Sequence, residues 1–125
     1  MSRVRSTTTW RAALAAITVA LAPTAAAHAF LDHASPPVGG TVGKPPPEVT
    51  VWFSEPLEPA FSTLRVLDKD GKPVDRGDRK PASGDRKAMR VSVPPLAPGT
   101  YTVKWRALSV DTHVTEGDFT FRVAR

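Results

Sequence analysis

Residues near the start of the chain could become a metal chelate if the chain were cut at one particular bond. His28 follows Ala25, Ala26 and Ala27, an A-x-A pattern of the kind that signal peptidase accepts. Cleavage after Ala27 would make His28 the first residue, and its free α-amine and imidazole Nδ1 would close a six-membered ring around one metal ion. An internal histidine cannot do this, because its backbone nitrogen belongs to a planar amide.

Two further candidate ligands, Asp111 and His113, lie two residues apart near the end of the chain. In an extended backbone, residues at that spacing point to the same face. With His28 they would supply an amine, two imidazoles and a carboxylate. This donor set suits a tetragonal Cu(II) ion, which binds nitrogen and oxygen ligands more tightly than the other divalent first-row metals. The alternative is a local turn in which Asp111 caps a backbone N–H and His113 is solvated.

The segment before His28 has the features of a secretory signal peptide. Three arginines precede an apolar run at residues 12–22, which is shorter than the roughly 20 residues that span a bilayer. We therefore predict a signal peptide over residues 1–27 and one exported mature domain over residues 28–125, without a membrane span. Its expected location is the periplasm, the cell envelope or the extracellular space.

Other cleavage positions remain open at this point. Cleavage one residue earlier would leave Ala27 first, and cleavage two residues later would leave Phe30 first. An uncleaved N-terminal anchor is a further alternative.

Charge and cysteine content exclude several classes of function. The formal net charge of +5 falls to +2 without residues 1–27, which contain three arginines and no acids. Basic residues at 69–90 alternate with aspartates and have no aromatic among them, so a nucleic-acid partner is not expected. The chain has no cysteine, which excludes disulfides and thiolate chemistry.

Short alternating segments predict an all-β fold. Residues 48–53, 63–67, 88–93, 100–107 and 117–123 read as strands, with a short edge strand at 29–31, and no segment of the mature chain has a helical period over ten residues. Thirteen prolines and eight glycines fit many turns between strands. We predict a seven-stranded antiparallel Greek-key sandwich, immunoglobulin-like in size, with Trp52 and Trp105 as core aromatics.

Several separate blocks of the chain resemble the CopC family of exported copper-binding proteins, in the family's order. They cover nearly the whole mature length: HAFL at 28–31, SPPVGG at 35–40, VWFSE at 51–55, APGTY at 97–101, VKWRA at 103–107, SVDTH at 109–113 and GDFTF at 117–121. The resemblance implies a β-sandwich that binds one Cu(II) ion through His28, Asp111 and His113. It also places Glu55 in or just outside the copper shell.

The resemblance further implies a protein of copper homeostasis or resistance, not an enzyme, which buffers Cu(II) or passes it to a CopD-like membrane protein. We expect a monomer, although residues of another subunit at the exposed metal could mediate weak association. Some family members hold Cu(I) in a methionine-rich loop, but Met89 is the only methionine after residue 27 and lies on a predicted strand. We therefore expect a single Cu(II) site.

Two other functions are compatible with part of this pattern. Copper monooxygenases of polysaccharides also use an N-terminal histidine, although 98 residues offer little area for a flat substrate and Asp111 would fill a position that oxygen needs. A metal-free module of the cell envelope would leave the histidines incidental. His33 is expected at the surface, aimed away from the ion that His28 binds, with a weak second site beside Asp32 as the alternative.

Overall fold

The fold is an all-β sandwich of two four-stranded sheets. The computed structural model describes residues 15–18, 29–82 and 84–125. Within these residues eight strands are present: β1 (Leu31–Ser35), β2 (Thr41–Val42), β3 (Glu48–Phe53), β4 (Thr63–Leu67), β5 (Lys80–Ala82), β6 (Asp85–Ser92), β7 (Gly99–Leu108) and β8 (Val114–Val123). A 3₁₀ turn, Pro59–Phe61, precedes β4. No helix in the described ranges is long and apolar enough to cross a bilayer.

The strands form one sheet in the order β1-β3-β6-β5 and a second in the order β2-β8-β7-β4. The predicted sandwich is confirmed, with three differences. The edge strand predicted at residues 29–31 lies instead at Leu31–Ser35. The described residues contain eight strands and not seven. The strands β2 and β5, of two and three residues, were not predicted, because they are too short to show a period in the sequence. The pair β2–β8 is parallel, whereas the other pairs within the sheets are antiparallel.

Alternating apolar side chains build the core between the sheets. Phe119, Phe121 and Val123 of β8 are buried, as their period of two predicts. Met89 of β6 is also buried, so it packs in the core and is not part of an exposed thioether site. Tyr101 of β7 donates its hydroxyl to the carbonyl of Ala97 at 2.6 Å, which ties the start of that strand to the preceding turn.

The two tryptophans differ from the prediction that both are core residues. Trp105 is partly buried and packs against the core, with its ring edge-on to Phe53 at a centroid distance of 5.1 Å. Trp52 is not part of that core, because its neighbours Val51 and Phe53 point inward and the alternation of β3 turns Trp52 to the other face. There its ring stacks on His33 at 4.3 Å. For Trp52 the prediction was wrong.

A buried carboxylate joins β4 to the loop that follows it. The Asp75 side chain is 0% exposed and accepts hydrogen bonds from Arg65 Nε at 2.9 Å and from the backbone N–H groups of Val66 and Gly77 at 3.0 and 2.8 Å. Burial alone would raise the pKa of Asp75, but the hydrogen bonds from Val66, Arg65 and Gly77 outweigh it and hold the pKa below its usual value.

We expect Asp75→Asn to lower the free energy of unfolding at pH 7 by about 2–3 kcal/mol, because it removes the charge and places an NH₂ group among donors. The control is Asp70→Asn, which changes an exposed turn residue. Since the folded pKa of Asp75 is depressed, its stabilisation is present above the unfolded pKa near 4 and is lost as the pH falls through the folded value. Urea unfolding should therefore show a smaller difference in the free energy of unfolding between wild type and Asp75→Asn at pH 3 than at pH 7. An equal difference at the two pH values would contradict a stabilising role for the ionised Asp75.

Candidate metal site

The candidate ligands Asp111 and His113 lie in the connection between β7 and β8. The two strands pair up to Leu108 and Val114, which are opposite each other. Between them, Thr112 N–H donates to Ser109 O and Ser109 N–H donates to His113 O, both at 2.9 Å, so the segment closes into a tight turn. Thr112 has a φ of 72°, in the left-handed region. Of the two conformations that the sequence left open, an extended segment and a local turn, the structure has the turn, since these hydrogen bonds determine its shape.

The turn nevertheless brings the two side chains together. His113 Nδ1 lies 3.3 Å from Asp111 Oδ1, and the side chains are 44% and 34% exposed. The buried hydroxyl of Ser109 donates to the same Asp111 oxygen. This hydrogen bond lowers the pKa of Asp111, burial opposes it, and His113 adds to the lowering. Asp111 is therefore an anion at neutral pH, beside an accessible imidazole.

The backbone that follows residue 28 reaches the same end of the sandwich. His28 itself lies outside the described residues. Ala29 is fully buried, and its carbonyl accepts a hydrogen bond from Thr115 Oγ1 at 2.6 Å. Phe30 N–H donates to Ser54 Oγ at 2.9 Å, and Ser54 N–H donates to Phe30 O at 2.8 Å. Ala29 and Phe30 therefore lie against the start of β8 and the turn after β3.

Glu55 lies in that turn and is half-buried. Its two chain neighbours connect it to the surrounding segments, since Ser54 bonds to Phe30 and the carbonyl of Pro56 accepts a hydrogen bond from Val110 N–H at 3.1 Å. Among residues 15–18, 29–82 and 84–125, no three histidine, aspartate or glutamate side chains are grouped so that they could hold a metal. The described part of the site is the pair Asp111 and His113, with Glu55 on an adjoining turn.

His33 is exposed on the outer face of the first sheet. Its Nδ1 lies 2.6 Å from Asp32 Oδ2, and its ring stacks on Trp52. A shift in register between Leu31 and His33 turns both Asp32 and His33 outward. The prediction of a surface histidine is therefore confirmed.

Arg106 of β7 forms an ion pair with Glu116 of the neighbouring strand. Its Nε lies 3.3 Å from Glu116 Oε1 on the outer face of the second sheet.

Sequence reasoning missed the hydroxyl groups of Ser54, Ser109 and Thr115. The one available signal was their position within two residues of a candidate ligand, since serine and threonine often bond to nearby backbone or side-chain groups.

Comparison with known proteins gives consistent matches. The CopC domain family matches residues 31–124. Protein YobA of Escherichia coli K12 is 37% identical over 115 residues, which cover 90% of this chain and 93% of YobA. Copper resistance protein C of Pseudomonas syringae pv. tomato is 35% identical over 95 residues, which cover 71% of this chain and 75% of that protein.

A solved structure is also similar to this chain. The crystal structure of CopC from Methylosinus trichosporium OB3b superimposes with a TM-score of 0.72 at 38% identity, covering 78% of this chain and 94% of that one. The name of the Pseudomonas syringae protein describes its role as copper resistance, which is not an enzyme activity. The prediction that the protein is not an enzyme is confirmed.

Proposed function

The chain belongs to the CopC family, as the resemblance predicted, and we propose that it is an exported protein that binds one Cu(II) ion for copper homeostasis or resistance. The proposed precursor is cut after Ala27, so that residues 28–125 form the mature domain in the periplasm or cell envelope. The observation that carries the proposal is the anionic Asp111 beside the exposed imidazole of His113. Ala29, the residue after His28, is hydrogen-bonded to Thr115, which lies two residues after His113.

The proposed ligands are the α-amine and imidazole of His28, the carboxylate of Asp111 and the imidazole of His113. Three nitrogens and one oxygen suit the tetragonal geometry that Cu(II) prefers. An aspartate is ionised at neutral pH even without a shift, and the hydrogen bond from Ser109 lowers the pKa of Asp111 further, so copper does not have to displace a proton from the carboxyl group.

Glu55 is proposed to act in or just outside the copper shell. A Cu(II) ion bound to one carboxylate keeps a net charge of +1, and a second acid on the adjoining turn would reduce it further. The buried Met89 offers no exposed thioether for Cu(I). These observations support one Cu(II) site in the domain.

The accessibility of the site suits a protein that carries its metal to another. Asp111 and His113 are each at least one-third exposed, in a connection at one end of the sandwich. An acceptor can therefore approach the ion without unfolding of the domain. We propose that the protein acts as a monomer and passes Cu(II) to a CopD-like membrane protein.

The proposal is tested on the secreted chain. Mass determination should give a protein that begins at His28, and titration against a competing chelator at pH 7 should give one Cu(II) per chain. A mature chain beginning at Ala27 or Phe30 would contradict the proposed chelate. A chain that begins at His28 but takes up no stoichiometric Cu(II) would instead support a metal-free module of the envelope.

A further inference from the structure

Two hydroxyl side chains hold the backbone that follows residue 28. The hydroxyl of Thr115 donates to the carbonyl of Ala29, and the hydroxyl of Ser54 accepts from the N–H of Phe30. A second bond from Ser54 N–H to Phe30 O fixes the same residue from its other side. The partners come from β8 and from the turn after β3, so Ala29 and Phe30 are attached to both sheets.

These hydroxyl groups are close in sequence to the candidate ligands. Thr115 follows His113 by two residues, and Ser54 directly precedes Glu55. From this juxtaposition we propose that Ser54 and Thr115, the Ser54–Thr115 clamp, are positioning residues: by holding Ala29 and Phe30 they keep the α-amine of the preceding residue, His28, near the Asp111–His113 turn. The inference rests on the proposed function, because it assigns these residues a role at the same copper site.

Covalent geometry explains why holding Ala29 matters. Adjacent Cα atoms are about 3.8 Å apart across a trans peptide bond, so a fixed Ala29 confines the Cα atom of the preceding residue to a small region. The α-amine is bonded to that Cα atom and is confined with it. A terminal residue that was free in solution would lose that freedom when it bound copper, and the lost entropy would weaken the affinity. The clamp uses protein groups alone, so this part of the ordering takes place on folding, before the metal arrives.

The clamp is tested by Thr115→Val, which keeps the shape of the side chain and removes its hydroxyl. We expect the dissociation constant for Cu(II) to rise about ten- to hundredfold, the range for groups that orient metal ligands. Thr115→Ser keeps the hydroxyl and should restore most of the affinity. Thr120→Val is the matched control, because it makes the same change at an exposed position of the same strand.

A second variant and a measurement without copper separate positioning from general destabilisation. Ser54 is exposed, so Ser54→Ala should fold normally and still weaken Cu(II) binding. In the copper-free protein, hydrogen exchange at the Phe30 amide should be faster in Ser54→Ala and Thr115→Val than in wild type and Thr120→Val. The two clamp variants should also show a larger fraction of Cu(II) with fewer nitrogen ligands by electron paramagnetic resonance.

The outcomes distinguish this inference from the function on which it rests. If wild type binds Cu(II) and both Thr115→Val and Ser54→Ala bind it equally well, the clamp is overturned and the proposed function stands. If Thr115→Ser loses as much affinity as Thr115→Val, the hydroxyl is not the active feature and the clamp is again overturned. If wild type takes up no Cu(II), both proposals fail.

Discussion

Addition of one glycine before His28 should weaken Cu(II) binding by about 10²–10⁴-fold, the gain that linking two binding groups typically provides. The added residue converts the α-amine into an amide, which is planar and carries no basic lone pair. The six-membered chelate ring can then no longer form, although every side chain of the site is still present. The measurement is the Cu(II) dissociation constant of the purified mature chain by chelator competition.

The matched control carries the same glycine after Arg125, at the other end of the chain. Both extended proteins should unfold at the same temperature as wild type, because the added residue contacts no part of the core. An N-terminal extension that leaves the Cu(II) affinity within a factor of two of wild type would show that the α-amine is not a ligand.

His113→Ala should remove one nitrogen from the copper coordination and raise the dissociation constant by about a hundredfold or more. The physical reason is that the Asp111–His113 turn holds the imidazole beside a carboxylate that is already ionised, so its loss takes away a positioned ligand. Electron paramagnetic resonance of the Cu(II) protein should show a hyperfine pattern with fewer nitrogens.

His33→Ala is the control for this change, because His33 is also exposed but stacks on Trp52 at the outer face of the first sheet. We expect its copper spectrum and affinity to match those of wild type. Identical spectra for His113→Ala and wild type would exclude His113 from the copper shell, and a change confined to His33→Ala would move the site to the outer face.

The sequence predicted those strands whose apolar residues alternate and face the core. The last strand was predicted from Phe119, Phe121 and Val123, because a period of two is visible wherever one face is buried. It did not predict β5 (Lys80–Ala82), since an edge strand with three largely exposed residues has no apolar period, and its place depends on pairing with β6. Trp52 was misplaced for a related reason: a run of apolar residues in β3 conceals which of them faces outward.

The candidate site was predictable only in part. Asp111 and His113 are near in sequence, so a compact turn brings them together as well as an extended segment would, and the structure has the turn. The bond between Thr115 and Ala29 joins residues 86 positions apart, and local sequence does not encode such a contact. Whether Glu55 reaches the metal depends on the same long-range packing, and its role remains a prediction.

The most direct test is a crystal structure of the secreted chain loaded with one equivalent of Cu(II). The account predicts a chain that begins at His28, with a single ion coordinated by its α-amine and imidazole and by Asp111 and His113. An ion bound at any other place, or a first residue that lies away from the Asp111–His113 turn, would contradict it.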